Sequence, residues 1–278
     1  MSMTSLGHTV LGPASGAASR HLYFLHGILG TRANWRGIAR RVIDARPGFG
    51  AVLVDLREHG DSLGLGGPDT LAQAADDVAA LAEDLGRPVD GIVGHSFGGK
   101  VALSFAGRRG HPALSELWVV DSSPGARPDP EAAGESDLVL EVLERLPKRY
   151  PDREAFTARL RAEGLSTTVS QWLAMNLLRD EDGSRFFGPD LGRIRALLRS
   201  YAETDLFGVL DPPPCPTGFL VAGRSKVVSK GDRARLEALA AAHPALHVYP
   251  IPNAGHWVHA EAPEAVIALL SRPPGGAP

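Results

Sequence analysis

The stretch Gly94-His95-Ser96-Phe97-Gly98-Gly99-Lys100 constrains this chain more than any other feature. A short β-branched-rich run, Val89-Asp90-Gly91-Ile92-Val93, leads into it, and Val101-Ala102-Leu103-Ser104-Phe105-Ala106 follows with apolar residues at helical spacing. Strand, sharp turn, helix is the setting in which G-x-S-x-G lifts a serine hydroxyl to the end of a sheet. Gly94 and Gly98 flank Ser96 because a Cβ at either place crowds a turn that holds the serine in a strained conformation. The start of the following helix brings backbone N–H groups beside Ser96, where a developing oxyanion is stabilised.

Around this elbow the chain alternates strand and helix. His8-Thr9-Val10-Leu11 reads as an edge strand, and Arg20-His21-Leu22-Tyr23-Phe24-Leu25 as a firmer one that enters His26-Gly27-Ile28-Leu29-Gly30-Thr31. There Gly27 and Gly30 bend the backbone so that the Ile28 N–H faces the site; the Phe97 N–H is the second oxyanion donor. His26 itself reads as a structural residue that holds this loop by hydrogen bonds. Ala33 to Ala45 forms a helix, and Ala51-Val52-Leu53-Val54 a buried strand that delivers Asp55-Leu56-Arg57-Glu58-His59-Gly60-Asp61-Ser62. An Asp55–Arg57 brace with Gly60 at a tight bend accounts for that loop, and Asp69 caps a helix to about Gly86.

Leu114 to Val120 is a strand ending at Asp121-Ser122-Ser123-Pro124-Gly125. The pattern then changes from about Pro128 to Asp211. Four amphipathic segments, near Glu131–Leu146, Arg153–Ala162, Thr167–Leu178 and Leu191–Tyr201, follow with no convincing strand between them. This predicts an α/β core of residues 1–127 and 212–278, with residues 128–211 as a helical cap insertion. Strands resume at Thr217-Gly218-Phe219-Leu220-Val221-Ala222 and at Leu246-His247-Val248-Tyr249, separated by a helix over 232–242. The fold class is α/β, with a mostly parallel sheet, helices on both faces and catalytic loops at the carboxyl ends of the strands.

A serine hydroxyl needs a general base, and the base needs an orienting carboxylate. Of the ten histidines, His256 follows the last strand in Asn253-Ala254-Gly255-His256-Trp257-Val258-His259 and is the base; His259 starts the next helix and His95 points away. The acid is Asp121, at a strand end beside the elbow, with Asp232 as the alternative. The strand after the insertion runs into Gly223-Arg224-Ser225-Lys226-Val227-Val228, which holds no carboxylate.

Composition excludes several other classes. The net charge of −3 offers no basic surface for nucleic acid or an anionic membrane. The single cysteine, Cys215, lies among prolines and reads as a structural thiol; it forbids an internal disulfide and fits a reducing compartment. No run of 18 or more apolar residues suggests a membrane span, and the first seven residues lack a signal-peptide pattern, so a cytoplasmic monomer or homodimer is expected. No cofactor or metal is expected, and the expected partner is a small molecule.

The motifs H-G-I-L-G-T, D-L-R-E-H-G-D-S, G-H-S-F-G-G-K, V-V-D-S-S-P and N-A-G-H-W-V-H, spread from residue 26 to residue 259, resemble those of α/β-hydrolase serine esterases. The resemblance is to abhydrolase-domain carboxylesterases and small bacterial esterases of short acyl esters, and it implies an acid at Asp121. The Gly223-Arg224-Ser225-Lys226 turn is more basic than in such relatives. The chemistry implied is hydrolysis of carboxylic or thioesters of short to medium acyl chains. A serine at the elbow excludes an aspartate nucleophile. A cofactor-free perhydrolase, a lactonase or a C–C bond hydrolase uses the same triad, and a non-catalytic ligand-binding member of the fold is the rival from a different class.

Overall fold

The computed structural model describes residues 5–14, 17–108, 114–127 and 135–276. The predicted start of the insertion at Pro128 and of its first helix at Glu131 lie outside those residues. Seven strands form the central sheet: β1 (His8–Leu11), β2 (Arg20–Leu25), β3 (Phe49–Val54), β4 (Gly91–His95), β5 (Glu116–Val120) and, after the insertion, β9 (Thr217–Ala222) and β10 (Leu246–Ile251). Their order is β1-β3-β2-β4-β5-β9-β10. β1 runs antiparallel to β3, and every other pairing is parallel. The elbow strand β4 is therefore central, flanked by the strands that carry the His26 loop and Asp121.

Burial on both faces follows from period-two alternation. On β2, Tyr23 and Leu25 join one core while Leu22 and Phe24 join the other; on β5, Leu117 and Val119 part from Trp118 and Val120 in the same way. Helices α2 (Leu71–Leu85), α3 (Phe97–Ala106) and α8 (Lys230–Ala242) cover the first face. Helices α1 (Arg36–Asp44) and α10 (Pro263–Leu270) cover the second, and the single-turn α9 (Val258–Glu261) precedes α10.

Between β5 and β9 stand α4 (Glu135–Arg145), α5 (Arg153–Ala162), α6 (Thr167–Leu173) and α7 (Leu191–Glu203). They are not alone, contrary to the all-helical expectation. β6 (Arg149–Tyr150), β7 (Leu177–Arg179) and β8 (Arg185–Phe187) form a small antiparallel sheet in the order β6-β8-β7. β7 and β8 make a hairpin across Asp180–Ser184, closed by Gly183 N–H donating to Asp180 O at 3.0 Å, with Gly183 at φ +87°. Strands of three residues are too short to display alternation, and the Asp182-Gly183 turn was the one legible sign of them.

Two loop expectations are also corrected. Asp55 and Arg57 do not pair: Asp55 meets Arg32 on one side of its loop, while Arg57 turns to the other and binds Asp77, with Nε–Oδ2 at 2.7 Å. The cap of α2 is Thr70, whose Oγ1 accepts the Gln73 N–H at 3.2 Å. Asp69 is drawn off by two guanidinium groups, those of Arg57 and Arg193. The helix at residues 33–45 begins as a 3-10 turn, Arg32–Trp35, before α1.

Candidate active site

Ser96 stands between β4 and α3 with φ 53° and ψ −119°, outside the regions that L-residues favour. The surrounding packing holds it there. A Cβ on Gly94 would collide with the carbonyl oxygen of Gly98, and one on Gly98 would lie 2.5 Å from that of His26. The Ser96 N–H donates to Val120 O at 3.0 Å, which ties the elbow to β5. Being the first residue of α3, Phe97 has an N–H without an intrahelical acceptor.

Three predicted side chains converge. His256 Nε2 lies 3.0 Å from Ser96 Oγ, and His256 Nδ1 lies 2.7 Å from Asp121 Oδ2. A carboxylate only accepts, so Nδ1 carries the proton and donates to Asp121, leaving Nε2 to accept from the serine hydroxyl. Asp121 is fully buried at the end of β5, and its Oδ1 accepts the Ala222 N–H at 3.1 Å. The alternative acid is occupied elsewhere: Asp232 Oδ2 accepts from Ser123 Oγ at 2.6 Å, and its N–H is capped by Ser229 in the first turn of α8.

The other histidines of the region are braces. His95 donates through Nε2 to the carbonyl of His256 at 2.8 Å, steadying the loop that carries His256. Burial drives its pKa well below the ordinary value, helped by the neighbouring His259 and His256. His259 belongs to α9 and packs against Trp35 and His95; burial pushes its pKa down to about 4. His26 accepts the Leu56 N–H at Nε2 (3.0 Å) and donates from Nδ1 to Gly27 O (2.7 Å), with its pKa lowered by burial to about 4. Cys215 is buried and free, and burial raises its thiol pKa to about 12, so it is no thiolate nucleophile.

Ile28, Ser96 and His256 line a narrow cleft walled mainly by Leu29, Val139, Val169, Trp172 and Trp257. Val139 comes from α4 and Val169 and Trp172 from α6, so the inserted segment roofs the serine. Trp172 and Trp257 meet edge to face, ring centroids 4.5 Å apart. No charged side chain lines the cleft among the described residues, and none of those residues form a cluster able to hold a metal ion. Sequence reading gave Trp257 no role in the wall, and it missed Lys100. That ammonium is fully buried at the start of α3 and donates to Gly125 O (2.8 Å) and Tyr201 O (2.7 Å), joining the loop after β5 to α7. Burial lowers its pKa to about 8. A lysine as the only charged residue of its helix was the available sign.

These features define a class. Over residues 22–269 the chain matches the alpha/beta hydrolase family, and it belongs to that family as a carboxylesterase-like hydrolase. Among its relatives is the sn-1-specific diacylglycerol lipase ABHD11 of Mus musculus, 30% identical over 253 residues that cover 87% of this chain and 77% of that one. The 2-succinyl-6-hydroxy-2,4-cyclohexadiene-1-carboxylate synthase of Klebsiella pneumoniae is 28% identical over 266 residues, 90% of this chain and 92% of that one. Among solved structures, a marine microorganism esterase superimposes with a TM-score of 0.78 at 25% identity, covering 95% of this chain and 97% of that one. No described helix is long and apolar enough to cross a membrane.

Proposed function

We propose that this chain is a serine hydrolase of neutral carboxylic esters, or thioesters, with short to medium acyl groups, working without a cofactor. The observation that carries the reading is the unbroken line from Asp121 through His256 to Ser96, at 2.7 and 3.0 Å. Ser96 Oγ attacks the ester carbonyl as His256 Nε2 takes its proton. The carbonyl oxygen becomes an oxyanion held by the Ile28 and Phe97 N–H groups. His256 then gives the proton to the leaving alcohol, which departs as the C–O bond breaks, and an acyl-Ser96 remains. Water, deprotonated by the same imidazole, attacks that ester; the acid is released and Ser96 regains its proton. Asp121 holds the productive tautomer and stabilises the imidazolium.

The cleft supports the substrate class. An apolar wall favours a hydrocarbon acyl group, each buried CH₂ contributing about 0.8 kcal/mol, while the roof from α4 and α6 limits its length. A substrate bearing a carboxylate, as the name of the Klebsiella relative denotes, finds no cationic partner among the described lining residues, and its desolvation would go uncompensated. The test is kcat/KM over p-nitrophenyl esters from acetate to dodecanoate, alongside a monoester of succinate. The expected result is a maximum at short to medium neutral chains. A preference for the succinate ester, or for emulsified long-chain triglyceride, would overturn this substrate assignment.

A further inference from the structure

Two imidazoles outside the relay pin two consecutive peptide units of the loop that carries Ile28. His26 donates from Nδ1 to Gly27 O at 2.7 Å, and Gly30 N–H donates to the same oxygen at 2.9 Å. In a trans peptide the N–H points opposite the carbonyl, so fixing Gly27 O fixes the line of the Ile28 N–H. The next unit is held from the other side: Leu29 N–H donates to His59 Nε2 at 2.8 Å. Leu29 has φ +59°, a left-handed conformation that is strained for a leucine and persists only where surroundings enforce it. The two rings meet edge to face, centroids 4.8 Å apart, and the exchange is reciprocal, since His26 accepts the N–H of Leu56 from the loop that carries His59.

From this geometry we infer that His59 is a positioning residue for the oxyanion donor: it holds Leu29 left-handed and thereby aims the Ile28 N–H at the carbonyl oxygen of the substrate. Its own seat is rigid. His59 Nδ1–H donates to Arg57 O at 2.8 Å, which leaves Nε2 as a pure acceptor. Arg57 is anchored by Asp77 and by Pro68 O, and Gly60, at φ +51°, has no room for a Cβ beside the Asp55 carboxylate. Burial and the neighbouring His26 lower the pKa of His59 to about 3, so the acceptor is present throughout the neutral range. A residue whose sole purpose was filling space needs neither the acceptor nor the tautomer.

The inference rests on the serine-hydrolase reading above, and the experiment separates the two. His59→Leu keeps bulk without an acceptor, and His59→Gln returns an acceptor near the position of Nε2. Active sites are counted by fluorophosphonate titration, so that rates refer to folded, competent enzyme. For His59→Leu we expect kcat on p-nitrophenyl acetate to fall about 10- to 100-fold with KM within about threefold. Outright loss of an oxyanion donor costs roughly 10²–10³, and a misaimed donor costs less. Affinity for an alkyl boronic acid, which forms a tetrahedral adduct with the serine, should fall by a similar factor, and His59→Gln should recover most of both. A wild-type kcat and boronate affinity in His59→Leu overturns the inference, as does a loss that His59→Gln fails to recover. A wild-type protein that neither turns over the ester nor takes the label refutes the hydrolase reading itself, and the inference with it.

Discussion

Replacing Asp121 with asparagine removes one charge and reverses one hydrogen bond while leaving the shape of the site intact. The carboxylate is fully buried, with Oδ2 2.7 Å from His256 Nδ1 and Oδ1 accepting the Ala222 N–H. In Asp121→Asn the amide oxygen keeps the Ala222 bond, so the amide NH₂ faces the ring. It can only donate there, which forces Nδ1 to accept and moves the ring proton to Nε2. A protonated Nε2 cannot take the serine proton, and the imidazolium loses its counter-charge in a water-poor site. The analogous change in another serine hydrolase lowers kcat about 10⁴-fold, equivalent to about 5 kcal/mol at the transition state. Steady-state hydrolysis of p-nitrophenyl acetate measures this directly, with a thermal melt as the control for folding. A kcat within tenfold of wild type, with an unchanged melt, would refute the assignment of Asp121.

The converse change, Asp232→Asn, should leave kcat within a few-fold in the same assay, because that carboxylate serves Ser123 and the first turn of α8. Trp172→Ala opens the roof of the cleft, and the octanoate-to-acetate ratio of kcat/KM should rise about tenfold or more, on the scale of two to three accommodated CH₂ groups at ~0.8 kcal/mol each; an unchanged ratio would dismiss Trp172 as a wall. Arg46→Met strands Glu116, which is buried and bonded bidentately at 2.5 and 2.9 Å, so chemical denaturation should show a loss of about 3–5 kcal/mol while activity per folded molecule is retained. Finally, His26, His59 and His259 are held neutral, with pKa lowered to about 4, 3 and 4 against 6.5 unfolded. Below pH 6.5 the unfolded chain binds protons that the folded chain refuses, so stability falls as pH drops toward 4, by up to about 1.4 kcal/mol per pH unit for each histidine. Melting temperature measured from pH 7 to 4.5 should decline steadily, and a flat profile would contradict the burial argument.

The parts of this molecule that were legible in its sequence are those written in local chemistry. Ser96 between two glycines needs only the strand before it and the helix after it, both of which sit where periodicity indicates. The meeting of His256 and Asp121 was legible because Asp121 directly follows β5 and His256 lies in the loop after β10, and parallel strands bring their carboxyl ends together. What escaped was set by partners distant in sequence. Nothing near Asp55 says that its carboxylate will meet Arg32 instead of Arg57, since that depends on the turn at residues 26–31 lying beside β3. Asp69 was the better cap by residue type, yet tertiary pairing with Arg193, 124 residues away, left the task to Thr70. The small sheet of the insertion has strands of two and three residues, below the length at which alternation separates strand from helix. His59 lay in a motif that the sequence singled out, but its acceptor is the N–H of Leu29, which only the fold brings to it.

The central claim is that Ser96 is the nucleophile, and a covalent adduct tests it most directly. A fluorophosphonate should add one phosphonyl group per chain, located at Ser96 by peptide mass spectrometry, with ester turnover lost in proportion to labelling. Ser96→Ala should refuse the label, keep the wild-type melt and retain only the fraction of catalysis that binding and the oxyanion donors supply, roughly 10³–10⁴ over water. A label on any other residue, or a Ser96→Ala protein that hydrolyses p-nitrophenyl acetate within a few-fold of wild type, would contradict the account.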